Sequence, residues 1–160
     1  MSTRGFEFAY MLDGSGATPV IRDFILGEKE DRKIGDLMVI QSDGAIDKAA
    51  TGVQEVTCIM QEKFASADVT ADSTTGKAAI VTRGQVWRCS TDAATATGAF
   101  VGIKQWDLID ENTIDAGDTT TGSLIVVEGE PTPADIPDHF DEEGNVIGYV
   151  VFADTTFGNT

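Results

Sequence analysis

The chain alternates between short apolar runs and polar stretches that end in glycine or aspartate. The clearest runs are Leu37-Met38-Val39-Ile40, Ala79-Ile80-Val81, Gln85-Val86-Trp87-Arg88-Cys89, Phe100-Val101-Gly102-Ile103, Leu124-Ile125-Val126-Val127 and Val146-Ile147-Gly148-Tyr149-Val150-Val151-Phe152. Runs of this length, rich in β-branched and aromatic residues and bounded by turn formers, predict strands. Leu37–Ile40, the turn Ser42-Asp43-Gly44 and the return Ala45–Lys48 predict a hairpin. Residues 53–64 fit two periods. Val53, Val56, Met60 and Phe64 approach helical spacing, whereas Val56, Cys58 and Met60 alternate, and the flanking strands favour a strand.

Farther along, Asp72–Gly76 predicts a loop and Lys77–Cys89 one long strand bent at Gly84. Thr91–Ala99 suits one short helix, with Thr91 or Asp92 as its cap. Phe100–Trp106 returns as a strand, and the acidic, threonine-rich residues 107–122 predict a loop before the strand Leu124–Glu128. Three of the four prolines fall between Glu130 and Asp138, which places that segment on the surface. Asp141–Asn145 predicts a turn, Val146–Ala153 a buried closing strand, and Phe157 an anchor for the tail. The expected fold is mainly β, with at most one short helix.

The first 33 residues follow a different pattern. Phe6, Phe8 and Tyr10 alternate with Glu7 and Ala9, which suits an extended segment with one apolar edge. Gly14–Pro19 breaks the chain before a second apolar piece, Val20–Leu26, and a charged stretch, Glu28–Lys33. Residues 1–33 therefore read as an arm with two short strands and little core of its own, and residues 34–160 as the body.

A length of 160 residues suits one domain, or one domain with an arm, and needs no metal or disulfide to bury a core. The net charge of −16 is unevenly distributed. Residues 1–33 carry −1 and residues 34–104 carry −2, whereas residues 105–160 carry thirteen acidic side chains and no basic one. That last third cannot neutralise phosphate, which argues against nucleic-acid binding and against anionic membrane surfaces. No apolar stretch approaches the ~20 residues of a membrane span and the N-terminus lacks a signal-peptide core, so a soluble product made in a cytoplasm is expected.

Little in the chain favours chemistry. Cys58 and Cys89 both sit in apolar runs, as buried thiols do. His139 is the only histidine and has neither a metal-ligand partner nor a nucleophile motif nearby. Asp135, Asp138, Asp141, Glu142, Glu143 and Asn145 could supply oxygens to calcium, but their spacing is not that of an EF-hand, and a solvated loop is the simpler reading. Trp87 and Trp106 suit a core or an interface. No cofactor, metal or catalytic residue is expected. An acidic β module that binds carbohydrate or mediates adhesion, with or without calcium, is the alternative.

The order of these elements resembles the head decoration, or capsid cement, proteins of tailed bacteriophages, the lambda-type β-tulip family. The resemblance lies in Ile34-Gly35-Asp36-Leu37-Met38-Val39-Ile40, Asp43–Ala49, Val56–Met60, the polar loop to Gly76, and Ala78–Arg88, preceded by Thr18–Phe24. It implies a barrel-like β-tulip body and an extended N-terminal arm. It also implies a structural role on the outer surface of the virion: binding the major capsid protein, often as a homotrimer, and stabilising the mature lattice. The arm residues it points to for capsid contact are Arg4, Phe6, Phe8, Tyr10, Arg22, Phe24, Ile25 and Leu26. A tail or spike component of the same particle is the nearest rival.

Overall fold

A computed structural model describes residues 5–52, 55–94, 104–117, 122–128 and 140–158. The chain is mainly β, as its apolar pattern predicts. Among the described residues, eleven strands form two antiparallel sheets that do not close into a barrel.

The five-stranded sheet holds β2 (Ile21–Ile25), β6 (Thr75–Ile80), β5 (Cys58–Met60), β3 (Leu37–Ile40) and β4 (Ile46–Lys48), in that spatial order. The six-stranded sheet holds β1 (Glu7–Met11), β7 (Gln85–Ser90), β11 (Ile147–Phe152), β10 (Leu124–Glu128), β8 (Lys104–Asp110) and β9 (Thr113–Asp115). Each sheet curls until its outer strand meets the far side at one isolated bridge, Leu26 to Ile46 in the first and Thr91 to Ile114 in the second.

Two cores follow from this curl. The larger lies where the sheets face each other and gathers Leu37, Ile59 and Ala79 from one, with Trp87, Trp106 and Val150 from the other. Phe6 joins it, tilted against Phe152 with ring centroids 5.4 Å apart. The smaller core lies on the opposite face of the five-stranded sheet and contains Leu26, Met38, Ile46, Cys58 and Met60. Cys58 and Cys89 are both fully buried, one in each core, and are not joined to each other.

The hairpin of β3 and β4 forms as expected, with Gly44 at φ 87° and the Asp43 carboxylate accepting the Ala45 N–H at 3.0 Å. The ambiguous segment 53–64 supplies strand β5. The predicted long strand over 77–89 is instead two strands in different sheets, β6 and β7. Gly84 takes φ 95°, which L-residues avoid, and makes a turn rather than a bend. The Gln85 side chain fixes that turn, accepting the Thr82 N–H at 3.0 Å and donating to the Ile80 carbonyl at 3.2 Å.

The loop expected over 107–122 is also corrected. Asp107–Asp110 extends β8, and Thr113–Asp115 returns as β9. Leu108 and Ile114 point inward between acidic neighbours and are fully buried. At the start of the helix expected at 91–99, the described residues 91–94 are not helical: Thr91 bridges to Ile114, and its hydroxyl donates to the Val146 carbonyl at 2.8 Å. Residues 95–99 lie outside the described residues, as do the prolines of 131–137 and His139. Among the described residues, helical structure is confined to a 3-10 turn, Ser66–Asp68. Phe157 does not anchor the tail, being 39% exposed. The buried Thr155 does, through its bridge to Val56.

Residues 5–33, read as an arm, contribute an outer strand to each sheet, β1 and β2. The chain entering β1 crosses the chain entering β3 at Gly5 and Gly35, where the Phe6 N–H donates to the Gly35 carbonyl at 2.8 Å. A Cβ on Gly35 would sit 3.0 Å from the Gly5 Cα, so the crossing needs glycine for close approach.

Candidate functional site

The eight residues assigned to capsid contact are distributed as follows. Arg4 lies outside the described residues. Phe6 and Leu26 are buried, one in each core. Phe8 is half-buried and meets the Trp87 ring edge-on at 5.6 Å. Phe24 is half-buried against the smaller core. Tyr10, Arg22 and Ile25 are exposed. An alternating strand buries every second side chain, so a segment chosen for its apolar residues divides between core and surface.

β1 and β2 belong to different sheets, and their near ends flank an apolar cleft of ≈ 300 Å³. Phe6, Ala79 and Trp87, all nearly fully buried, form its floor. Phe8, Pro19, Ile21 and Ile34 form its walls. Ile34 is 61% exposed and Ile21 49% exposed, the former being the most exposed large apolar side chain among the described residues. Val20, beside Ile21, is 49% exposed. Sequence reasoning missed Ile34 and Val20. The signal was present for Ile34, an isolated aliphatic between Lys33 and Gly35 that no strand period requires.

Three polar residues also line the cleft, Glu7, Thr18 and Gln61, but Glu7 alternates with Phe6 and Phe8, so its side chain lies on the other face of β1. Arg88 faces Glu7 across the β1–β7 pair, and its Nε and Nη2 both donate to Glu7 Oε2, at 3.0 and 2.7 Å. The Gln61 amide donates to the carbonyls of Ile59 and Met60 at 3.3 and 3.2 Å.

The outer edge of β2 is short. Hydrogen bonds from Ile80 N–H to the Val20 carbonyl and from Leu26 N–H to the Thr74 carbonyl fix the alternation, so Ile21 and Asp23 turn their backbone groups away from β6. Arg22 Nη1 covers the Ile21 carbonyl at 2.9 Å. The bridge from Leu26 to Ile46 brings β4 against the far end. Asp23 pairs with Lys77 on the neighbouring strand at 3.0 Å, both side chains exposed.

A second polar feature lies inside the molecule. Arg32 is fully buried and donates to the carbonyls of Glu28 and Glu30 at 3.0 and 3.2 Å. Its Nη2 lies 3.3 Å from a Glu30 oxygen and 3.7 Å from an Asp47 oxygen. Lys48 pairs with Glu111 of the β8–β9 turn at 3.4 Å. Asp36 is 2% exposed; one oxygen accepts the Lys33 N–H at 2.8 Å, and the other has no partner. Burial pushes the Asp36 carboxyl above its ordinary 3.8, with the Glu111 charge adding to the effect. Burial also raises Glu30, against the pull of the Lys48 N–H and of Arg32. These groups join the five-stranded sheet to the β8–β9 turn, and their arrangement is that of a structural ion network.

The acidic turn at 141–145 is held largely by its own backbone. Asp141 Oδ1 accepts the N–H groups of Glu143 and Asn145, both at 2.9 Å. Among the described residues no group of three or more His, Cys, Asp or Glu side chains is placed to hold a metal, and no helix is long and apolar enough to cross a membrane. Trp87 and Trp106 are 1% and 0% exposed, so neither offers a stacking platform at the surface, and Trp87 meets the cleft only at its floor.

No protein-family model matches the chain, and no curated protein matches it.

Proposed function

We propose that this protein is a structural component of a phage particle that decorates the outer surface of the mature capsid and stabilises the lattice of its major capsid protein, without catalysing a reaction. The observation that carries the reading is the exposed apolar side formed by the first 34 residues. Val20, Ile21 and Ile34 stand out from the surface beside a ready-made cleft, in the same region that the resemblance assigns to capsid contact. Apolar side chains clustered at a groove mark interaction sites in soluble proteins. The resemblance adds a homotrimer on the lattice as the expected assembly. The surface carboxylates of the last third, which has no basic side chain, then face water and keep neighbouring particles apart.

The mechanism is mass action: a protein that binds only the mature lattice stabilises it by RT ln(1 + [L]/Kd) at each site. The test is cosedimentation of the purified chain with undecorated capsids, followed by the melting temperature of the decorated shell. Saturable binding and a rise in that temperature support the reading. Absence of binding to any capsid, or binding to tails alone, overturns it. The carbohydrate-binding alternative has less support, because the two tryptophans that motivated it lie in the core.

A further inference from the structure

The cleft between β1 and the start of β2 selects its occupant by charge first. Asp23 and Lys77 are the charged residues of β2 and β6 that share a face with Ile21 and Ala79, and they close on each other at 3.0 Å. The Glu7 side chain lies on the other face of β1. A charged head entering the cleft would give up water and meet no free counter-charge. The occupant is therefore neutral.

Hydrogen bonding narrows it further. Gln61 lies two residues beyond Ile59, the partner of Ala79, so its side chain is on the cleft face. Its amide nitrogen donates to the carbonyls of Ile59 and Met60, which leaves the side-chain oxygen to accept. The Trp87 N–H is spent on Gln85 Oε1 at 3.2 Å. A wholly aliphatic anchor would cover the Gln61 oxygen and return no hydrogen bond. The side chains that carry a neutral donor on a large apolar body are tyrosine and tryptophan. Thr18, an exposed residue, also lines the cleft, and a phenol can accept from a hydroxyl where an indole N–H cannot. Phe8 stands at 73° to Trp87 with centroids 5.6 Å apart, a corner that a third ring can enter through edge contacts.

We propose that this cleft receives a tyrosine side chain of the lattice protein, its ring packed against Phe8, Trp87 and Ile34 and its hydroxyl donating to Gln61. The inference rests on the reading that the chain docks on a capsid, and it names the chemistry of the contact.

Two arms test it on the full chain. In the first, p-cresol and its methyl ether, 4-methylanisole, are titrated separately while the methyl NMR signals of Ile21 and Ile34 are followed. The expected result is saturable shifts with p-cresol that salt does not weaken, and affinity about tenfold lower both for the ether and for Gln61→Leu. Glu7→Gln should bind p-cresol as the native chain does. Equal binding of the ether, undiminished binding by Gln61→Leu, or no shift with either probe overturns the proposal.

In the second arm, undecorated capsids are nitrated on tyrosine before mixing and tested for binding. Undiminished binding overturns the tyrosine assignment; loss of binding supports it. If unmodified capsids also fail to bind while the p-cresol shifts persist, the functional reading has failed and the chemistry of the cleft has not.

Discussion

The two cores of this protein are closed in different ways. The larger has a sheet on each side and is filled by Phe6, Trp87, Trp106 and Phe152. The smaller has a sheet on one side only, and the fully buried residues at its centre are aliphatic or sulfur-bearing. Its other side is covered by connecting chain. That chain is held by the bridge between Arg32 and Phe64 and by the Arg32 guanidinium inside the 28–32 turn. A core between sheets is secured by shape and area, whereas a core under loops depends on whatever pins the loops. The first should therefore fail through cavities and the second through charge.

The largest expected effect tests the sheet-covered core. Trp106 is fully buried and lies over Gly148, where a Cβ would approach its ring to 2.7 Å. Trp106→Ala leaves a cavity that neighbouring rings on two sheets cannot fill, and should cost about 3–5 kcal/mol. Urea unfolding followed by circular dichroism measures it. A loss below about 1 kcal/mol would mean that the intersheet core can collapse around the gap, and the contrast between the cores would fall.

The next tests the loop-covered core. Arg32→Met keeps the volume and removes the charge, leaving Glu30 and Asp47 without their shared cation. Breaking a buried pair from one side costs about 3–5 kcal/mol, and a value near 3 is expected here because the partners are 24% and 19% exposed. The signature is local: amide exchange should rise over residues 27–33 and 64–70 before the six-stranded sheet is affected. Uniform loss across both sheets would show that the two cores form a single cooperative unit.

The β3–β4 hairpin and the strands β10 and β11 were legible in the sequence because their apolar residues stand between unambiguous turn formers, whereas β5 was legible only through the strands that flank it. The failures have a common cause. In 107–115 the period-2 signal of Leu108 and Ile114 was present, but composition obscured it, since Asp107, Asp110, Glu111 and Asp115 surround them. In 77–89 the pattern gave the strand but not the change of sheet, because periodicity reports burial and not which neighbour supplies it. The same limit governs the site. Alternation in Phe6–Tyr10 announced an apolar edge and could not say that Phe6 fills the chain's own core while Ile34, far along the chain, stands at the rim of the cleft. Arg32 left no sequence signal, because a buried arginine within Glu28–Lys33 reads as one more solvated charge.

The two sides of the molecule should also respond to acid in opposite directions. Asp36 and Glu30, at the loop-covered core, have folded-state carboxyls raised by burial, so the native state holds their protons more tightly than the unfolded chain does. Their contribution to stability is present below the ordinary values of 3.8 and 4.5 and is lost as the pH rises through the raised ones. Asp141 in the six-stranded half behaves oppositely. Burial would raise it, but hydrogen bonds from Asn145, Ser90 and Glu143 outweigh burial and hold it below 3.8. Its contribution is present above 3.8 and is lost as the pH falls through the lowered value. Asp36→Asn should therefore raise the melting temperature at pH 7.5 and leave it nearly unchanged at pH 3.5, while Asp141→Asn should lower it at pH 7.5. Destabilisation by Asp36→Asn at neutral pH would mean that the ionised carboxylate is needed where it lies.

The smallest effect on stability separates folding from docking. Glu7 and Arg88 pair across the edge of the six-stranded sheet with side chains 44% and 24% exposed, and such pairs are worth about 0.2–1 kcal/mol. Glu7→Gln removes the charge, keeps an oxygen that Arg88 can reach, and should unfold within about 1 kcal/mol of the native chain. The loop-covered core, fifteen residues or more along the chain, should not register it in amide exchange. Because the Glu7 side chain lies on the face of β1 away from the cleft, the same variant should leave capsid binding unchanged if the cleft serves the partner. A loss of capsid affinity well beyond the loss of stability would instead place the outer face of β1, and not the cleft, against the capsid.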